Sequence, residues 1–274
     1  TVPASAPAHE AAEAHGPAEV LMHHVLDSEF FGFPSKHLAF FALTALIVIF
    51  IVRRALRSYR DGVPTGLAAA VESLVVFVRD EIAEKNIGHD GHKFVPLLLS
   101  FFFFILAAAL LGLVPLPSYD AAAHQWSMAA TGSTANISIT LALAFVSFLA
   151  QQWAGISKYG VWHHFKGMVP PGMPVFLLPI MVPVELLGMF TKPFALMIRL
   201  FANMLAGHMV VTTLLLLIPI MAEVSALFGV AMIPISVGLS LFIMLLEVLV
   251  AFIQAYIFTL LTSIFIGMYA HPAH

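Results

Sequence analysis

Between Glu185 and His208 the chain reads ELLGMFTKPFALMIRLFANMLAGH, an apolar run that also holds Lys192, Arg199 and Asn203. A charged side chain near the centre of a bilayer costs about 2.5 to 3.5 kcal/mol on insertion scales, so an arginine there calls for a purpose. The guanidinium of Arg199 stays protonated at any working pH. It cannot ferry a proton, but it holds a permanent positive field for a group that does. Further on, Glu247 and Gln254 stand in a second apolar run. Of these side chains, His208 and Glu247 are the ones able to take up and release protons near neutral pH. Asn203 and Gln254 can only orient water or neighbouring groups.

Antiparallel helices joined by a turn bring residues level when their numbers sum to a constant. Arg199 with Gln254 and His208 with Glu247 give nearly the same sum, and half of it falls at Leu227, inside the turn that Pro219 and Gly229 mark independently. The four polar residues therefore read as one intramembrane assembly. At roughly 100° per residue Arg199 and His208 lie on opposite faces of a helix, whereas Glu247 and Gln254 share one. Glu185, Lys192 and Arg199 recur every seven residues and form a stripe. The expectation is that His208 faces the hairpin interior with Glu247, while Arg199 looks outward toward a partner. A static salt bridge between Arg199 and Glu247 is the bland alternative. Lys192, near a helix end, reads first as a side chain that snorkels to the interface and second as an accessory to the assembly.

The elements that must hold these groups follow from composition. The 274 residues are 61% hydrophobic and 10% charged, with several stretches long enough to cross a hydrocarbon core of about 30 Å. That pattern is a polytopic helical membrane protein. No cysteine is present, which excludes disulfides and thiolate metal sites, and a net charge of -3 gives no footprint for nucleic acid. Residues 1–28, rich in Ala, His, Glu and Pro, read as a mobile tail whose His9, His15, His23 and His24 are solvated rather than metal ligands. No basic segment followed by an apolar one precedes Leu21, so a leader is expected to have been removed or never present.

Residues 29–274 are expected to form a single membrane domain. Its first crossing is 38–52, ended by Arg53, Arg54, Arg57 and Arg60. Over 67–85, Leu67, Val71, Leu74, Val75, Val78 and Ile82 share one helical face with Glu72, Arg79, Glu81 and Glu84 off it, the pattern of an amphipathic helix lying on the membrane surface. Crossings follow at 94–114 and 137–153, the latter with Asn136 as N-cap and Gln151 and Gln152 at its exit, and a loop of small and polar residues runs from Leu116 to Ala135. From 175 to 218 there is no convincing loop signal, and 234–268 is likewise longer than the roughly 20 residues of an upright crossing. These two segments make a long hairpin that is either strongly tilted or broken at Pro179, Pro183 or Pro193. The fold expected is therefore all-α, with five crossings and one surface helix. Arg53, Arg54, Arg57, Arg60, Arg79, Lys85, Lys93, Lys158 and Lys166 fall on one side and only Lys36 on the other, which sets the N-terminus outside and the C-terminus inside.

At its polar residues the chain closely resembles subunit a of the F-type ATP synthase, from Phe30 onward and most specifically in Lys192-Pro193, Arg199-Leu-Phe-Ala-Asn203-Met, Ala206-Gly207-His208 and Glu247 followed by Gln254-Ala-Tyr-Ile-Phe258. The resemblance implies a stator subunit that translocates protons. Arg199 would face a ring of c subunits, attract and deprotonate each arriving carboxylate, and keep protons from passing directly between two offset half-channels. The outer half-channel would use Asn203, His208, Glu247 and Gln254, and the inner one Glu185. It further implies peripheral-stalk b subunits and the rest of the synthase as partners, no cofactor or metal in this chain, and no catalytic site of its own. The setting implied is a bacterial plasma membrane or, as the alternative, the inner membrane of an energy-transducing organelle.

A secondary ion transporter is the rival reading, since it too places charges at mid-membrane, but it predicts an internal repeat and the two halves show none. An intramembrane enzyme lacks its H-E-x-x-H motif or a serine nucleophile with a histidine partner inside a span. A haem-binding cytochrome would require paired histidines, and only His208 lies well inside a crossing.

Overall fold

The structure is a computed structural model and describes residues 36–58, 66–114, 116–120, 125–129, 137–160 and 178–270. The 1–28 tail, Asn136, His163, His164 and Lys166 lie outside the described residues. Helix α1 spans Lys36–Ser58 and so includes residues 38–52. Helix α2, Leu67–Val76, runs without interruption into a π-helical stretch, Phe77–Glu84, and a short α3, Lys85–Ile87. A 3₁₀ turn, Gly88–Lys93, leads into α4, Val95–Gly112. Then come strands β1, Leu116–Asp120, and β2, Gln125–Ala129, before α5, Ile137–Tyr159, α6, Leu178–Val224, and α7, Ala226–Ala270. Among the described residues four helices, α4 to α7, are long and apolar enough to cross a membrane, so the chain is a helical, multi-pass membrane protein.

The 47-residue α6 continues through Pro183, Pro193 and Pro219, and the 45-residue α7 through Pro234. Each proline forfeits one backbone bond, but neighbouring turns hold the helix together. Of the two readings left open above, a broken helix and an oblique one, the unbroken helix is therefore the one observed. At 1.5 Å per residue each arm is about 70 Å long, more than twice the depth of a bilayer core, so the hairpin cannot stand upright. The turn is also shorter than Pro219 and Gly229 suggest. Ser225 alone is non-helical, its N–H donating to Met221 O (3.2 Å) and its own carbonyl accepting from Gly229 N–H (3.0 Å).

The core lies where the π-helical stretch meets α4, α6 and α7. Val78, Ile82, Phe102, Ile105 and Phe258 are fully buried there, and Phe101 meets Phe258 edge-on at 5.3 Å. The stripe expected to enter the acyl boundary thus turns onto the protein itself at Val78 and Ile82, while Leu67 stays exposed. Its charged side remains outward as expected, with Arg79 paired to Asp80 and Lys85 to Glu81. The wide π turn meets α7 at one carbonyl. Ile82 O accepts from Ser263 Oγ (2.9 Å) and from Asn86 Nδ2 (2.7 Å).

Beside this contact, Gly267 allows α7 to approach the chain at Asn86. A Cβ there would fall 3.1 Å from the Asn86 carbonyl carbon and closer still to its oxygen. Both atoms are backbone, so relief requires moving a helix. Gly267→Ala should lower stability by about 1 to 3 kcal/mol, read as a drop in the melting temperature of the purified complex; an unchanged melting temperature would show the approach to be looser.

Two local expectations are corrected. The segment from Leu116, read as a loop, contains an antiparallel hairpin in which Leu116 pairs with Ala129 and Asp120 with Gln125. Gln151, read as the exit of its crossing, is fully buried, and α5 runs on to Tyr159. The helix ends at Gly160, whose positive φ of 75° suits glycine and whose N–H closes on Ile156 O at 2.8 Å. Gln151 belongs instead to a polar contact between α5 and α7, donating from Nε2 to Ser147 Oγ (3.0 Å), which bonds Thr262 Oγ1 (2.9 Å). A neutral amide buried in a membrane protein is tolerated when such partners exist.

Candidate functional site

The α6–α7 hairpin carries every side chain singled out by chemistry. Its register is visible at two levels. Near the turn, Ala222 packs against Gly229, where a Cβ would lie 2.6 Å from that of Ala222. At mid-hairpin, the carboxyl of Glu247 lies against Gly207, where a Cβ would fall 2.7 Å from its Cδ and closer still to Oε1. Gly207 thus lets an acid from α7 rest on the backbone of α6. The residue numbers at both levels sum to nearly the constant found for the polar pairs.

Asn203, Glu247 and Gln254 line a single small cavity together with Ala109 of α4 and Leu113 just past its end. Its volume of about 20 Å³ suffices for about one water. Gln254 is 5% exposed, and its Nε2 meets no acceptor among the described residues. His208 follows Gly207 directly and is half-buried, with Nε2 likewise lacking a protein partner. The histidine stands beside the cavity and does not line it. Three of the expected residues therefore converge on one space, and the fourth adjoins the glycine that seats the acid.

Arg199 is exposed, one turn before Asn203 on α6. Among the described residues no ion pair joins it to Glu247 or to any other acid of this chain. The static salt bridge is therefore not the arrangement found. Ala195, Ala202 and Ala206 are also exposed, at helical spacing from Arg199. Short side chains on either side leave the guanidinium reachable from outside the chain. Lys192 is half-buried, and its ammonium stands 5.3 Å from the Phe265 ring and 5.2 Å from the Tyr269 ring, both on α7. This pairing holds the lysine within the hairpin instead of letting it snorkel freely. Glu185 lies on α6, and its side chain is outside the described residues.

Sequence reasoning missed Gly207 as a seat for the acid, the aromatic pair around Lys192 and the Ser147–Gln151–Thr262 contact. The first had a usable signal, since the antiparallel sum places Gly207 level with Glu247. The other two had none, because aromatic and hydroxyl side chains recur along all the long helices, α1 and α4 to α7.

Residues 38–267 match the profile of a family described as ATP synthase A chain. The chain is 48% identical over 246 residues to the ATP synthase subunit a of Anaeromyxobacter sp. (strain Fw109-5), an overlap covering 88% of this chain and 55% of the relative. It is 40% identical over 286 residues to the protein of that name from Chloroherpeton thalassium, covering 95% of this chain and 80% of the relative. With the Myxococcus xanthus protein of that name it shares 44% identity over 245 residues, 88% of this chain and 74% of the other. The chain thus spans little more than half the length of the Anaeromyxobacter relative and a larger share of the other two.

Proposed function

Because the chain belongs to the ATP synthase A chain family, we propose that it is the proton-translocating stator subunit of a rotary ATP synthase, in which two offset half-channels load and unload the carboxylates of a rotating ring past Arg199. The observation that carries this reading is an arginine exposed on a membrane helix and, among the described residues, paired with no acid. Such a charge demands a counter-ion from elsewhere. A carboxylate on a ring of c subunits supplies one, and supplies it only in passing.

The outer half-channel uses Asn203, His208, Glu247 and Gln254. Glu247, seated on Gly207, and the adjacent His208 accept and return protons, while Asn203 and Gln254 orient water in the cavity between them. The inner half-channel passes Glu185, and Lys192 assists by fixing α6 to α7 on that side. Arg199 stands between the two routes and cannot itself carry a proton, so no proton crosses without a ring carboxylate moving. One elementary charge passing through 100 mV releases about 2.3 kcal/mol, which the ring converts into rotation. ATP is made elsewhere in the complex, whose peripheral-stalk b subunits hold this chain still. The chain crosses a bacterial plasma membrane five times, α1 included, with its N-terminus outside and its C-terminus in the cytoplasm.

The pairing of His208 with Glu247 is tested by exchange. The complex carrying His208→Glu with Glu247→His should retain several-fold more ATP-driven proton pumping in vesicles than either single alanine variant. Should the exchange do no better than the singles, the two residues do not act as one relay.

A further inference from the structure

A groove of about 420 Å³ opens where the basic end of α1, one flank of α2 and the start of α4 meet, away from the hairpin site. Its walls are apolar, with Val52 and Leu56 from α1, Val71 and Val75 from α2, and Leu99 and Phe103 from α4. One charged side chain, Glu72, stands among the described residues that line it. We infer that this groove binds one phosphatidylethanolamine molecule, its ammonium held by Glu72, its phosphate by the arginines at the end of α1, and an acyl chain lying between α1 and α4.

Glu72 is out of place by its pattern. It counts among the charges that fall off the apolar stripe, and Arg79, Asp80, Glu81 and Lys85 do pair with one another on the outer side. Yet Ala68, Val71 and Val75 line the groove beside Glu72, and these four positions fall within one helical face about 100° wide. The residue is half-buried, and no hydrogen bond or ion pair reaches its carboxylate among the described residues. Ser100 across the groove offers no help, because its hydroxyl donates to Pro96 O (2.7 Å). A carboxylate held against apolar walls is stabilised by a cation, which the occupant must bring.

The dimensions and the second charge fit a lipid. Helix α4 is long and apolar enough to cross a membrane, and Phe41 of α1 meets its Phe104 at 4.9 Å, so the groove faces the bilayer. Along α1 the lining runs from Leu56 to Val48, about 12 Å of helix, against about 15 Å for half of a bilayer core. That length makes the groove about 35 Å² in section, whereas a helix about 10 Å across needs more than twice as much. Leu56 is 64% exposed at the mouth, so the way in is open. Arg53 and Arg57 follow Val52 and Leu56 directly, are exposed, and pair with no acid among the described residues. A guanidinium suits a phosphate. A primary ammonium also donates hydrogen bonds to a carboxylate, which the quaternary nitrogen of choline cannot, and the net negative charge of phosphatidylglycerol is repelled by Glu72.

The test uses the whole complex that contains this chain, delipidated in mild detergent and titrated in turn with phosphatidylethanolamine, phosphatidylcholine and phosphatidylglycerol of matched acyl chains. Native mass spectrometry should count one more phosphatidylethanolamine on the wild-type complex than on one carrying Val75→Trp, which fills the groove. Glu72→Gln, nearly the same in size, should weaken phosphatidylethanolamine about fivefold and leave phosphatidylcholine unchanged. Glu72→Lys should turn the preference toward phosphatidylglycerol. Equal retention of phosphatidylethanolamine by the wild-type and Glu72→Gln complexes would overturn the assignment, as would equal binding of phosphatidylethanolamine and phosphatidylcholine by the wild type. A wild-type preference for phosphatidylglycerol would leave Glu72 without its role and reject the proposal. Cross-linking of Val75→Cys to a neighbouring subunit in high yield would show that protein fills the groove, and would likewise sink it. The readout is a lipid count, so it stands or falls independently of proton pumping.

Discussion

Arg199→Ala is expected to bring ATP-driven proton pumping by the reconstituted complex down to the background of empty vesicles. Without the guanidinium, a carboxylate facing α6 must give up its proton in apolar surroundings with no cation to stabilise the anion. That deficit is several kcal/mol, and even about 3 kcal/mol slows the step on the order of 100-fold. The exposure of Arg199 between small side chains implies that the variant still folds and assembles, because no ion pair among the described residues is lost. Arg199→Lys should retain part of the function. An ammonium keeps the charge but not the broad planar fork, and it can lose its proton in a dry setting. Normal pumping by Arg199→Ala would remove the mechanism, whatever the family of the chain.

Gly207→Ala should reduce pumping by about tenfold while leaving assembly intact. The added methyl group would occupy the place of the Glu247 carboxyl, and the atom it meets is the free end of a flexible side chain. Glu247 can swing away at small cost to folding, unlike the backbone that meets Gly267. What is lost is the position of the acid beside His208 and the cavity, and misplacement by about 1 Å is enough to cost a proton-transfer site much of its rate. A shorter acid provides the internal control. Glu247→Asp combined with Gly207→Ala should pump better than Gly207→Ala alone, since withdrawal of the carboxyl by one methylene makes room for the methyl. Full activity of Gly207→Ala would mean that Glu247 works from another rotamer.

Much of this site was legible because charge and amide side chains are conspicuous against an apolar background. Arg199, Asn203, His208, Glu247 and Gln254 announce themselves by type, and the antiparallel sum sets Arg199 opposite Gln254 and His208 opposite Glu247 along the hairpin. Gly207 carries no such contrast. Its importance comes from an atom it lacks, and that becomes visible only once Glu247 is seen to occupy the space. Gln151 misled for a different reason. A glutamine near the end of an apolar run resembles an interfacial residue, and the contact that buries it depends on Thr262, which lies 115 residues from Ser147 along the chain. The surface stripe was correctly periodic, but periodicity does not say whether lipid or protein will cover it. The hairpin turn was overestimated because proline was given its usual weight as a helix breaker, whereas inside a membrane the alternative of unpaired backbone is worse.

The single-residue joint at Ser225 bears on how the hairpin behaves under force. Two rods coupled by so short a hinge cannot slip past one another by a helical turn, and the far half of α7 is clamped to the neighbouring bundle through Ser263, Gly267 and the Phe258 contact. Any sideways thrust from a rotor would be transmitted as strain along the whole beam, with little slack for it to dissipate as sliding. An elastic wall of that kind would return each increment of torque to the rotor and would not creep between steps.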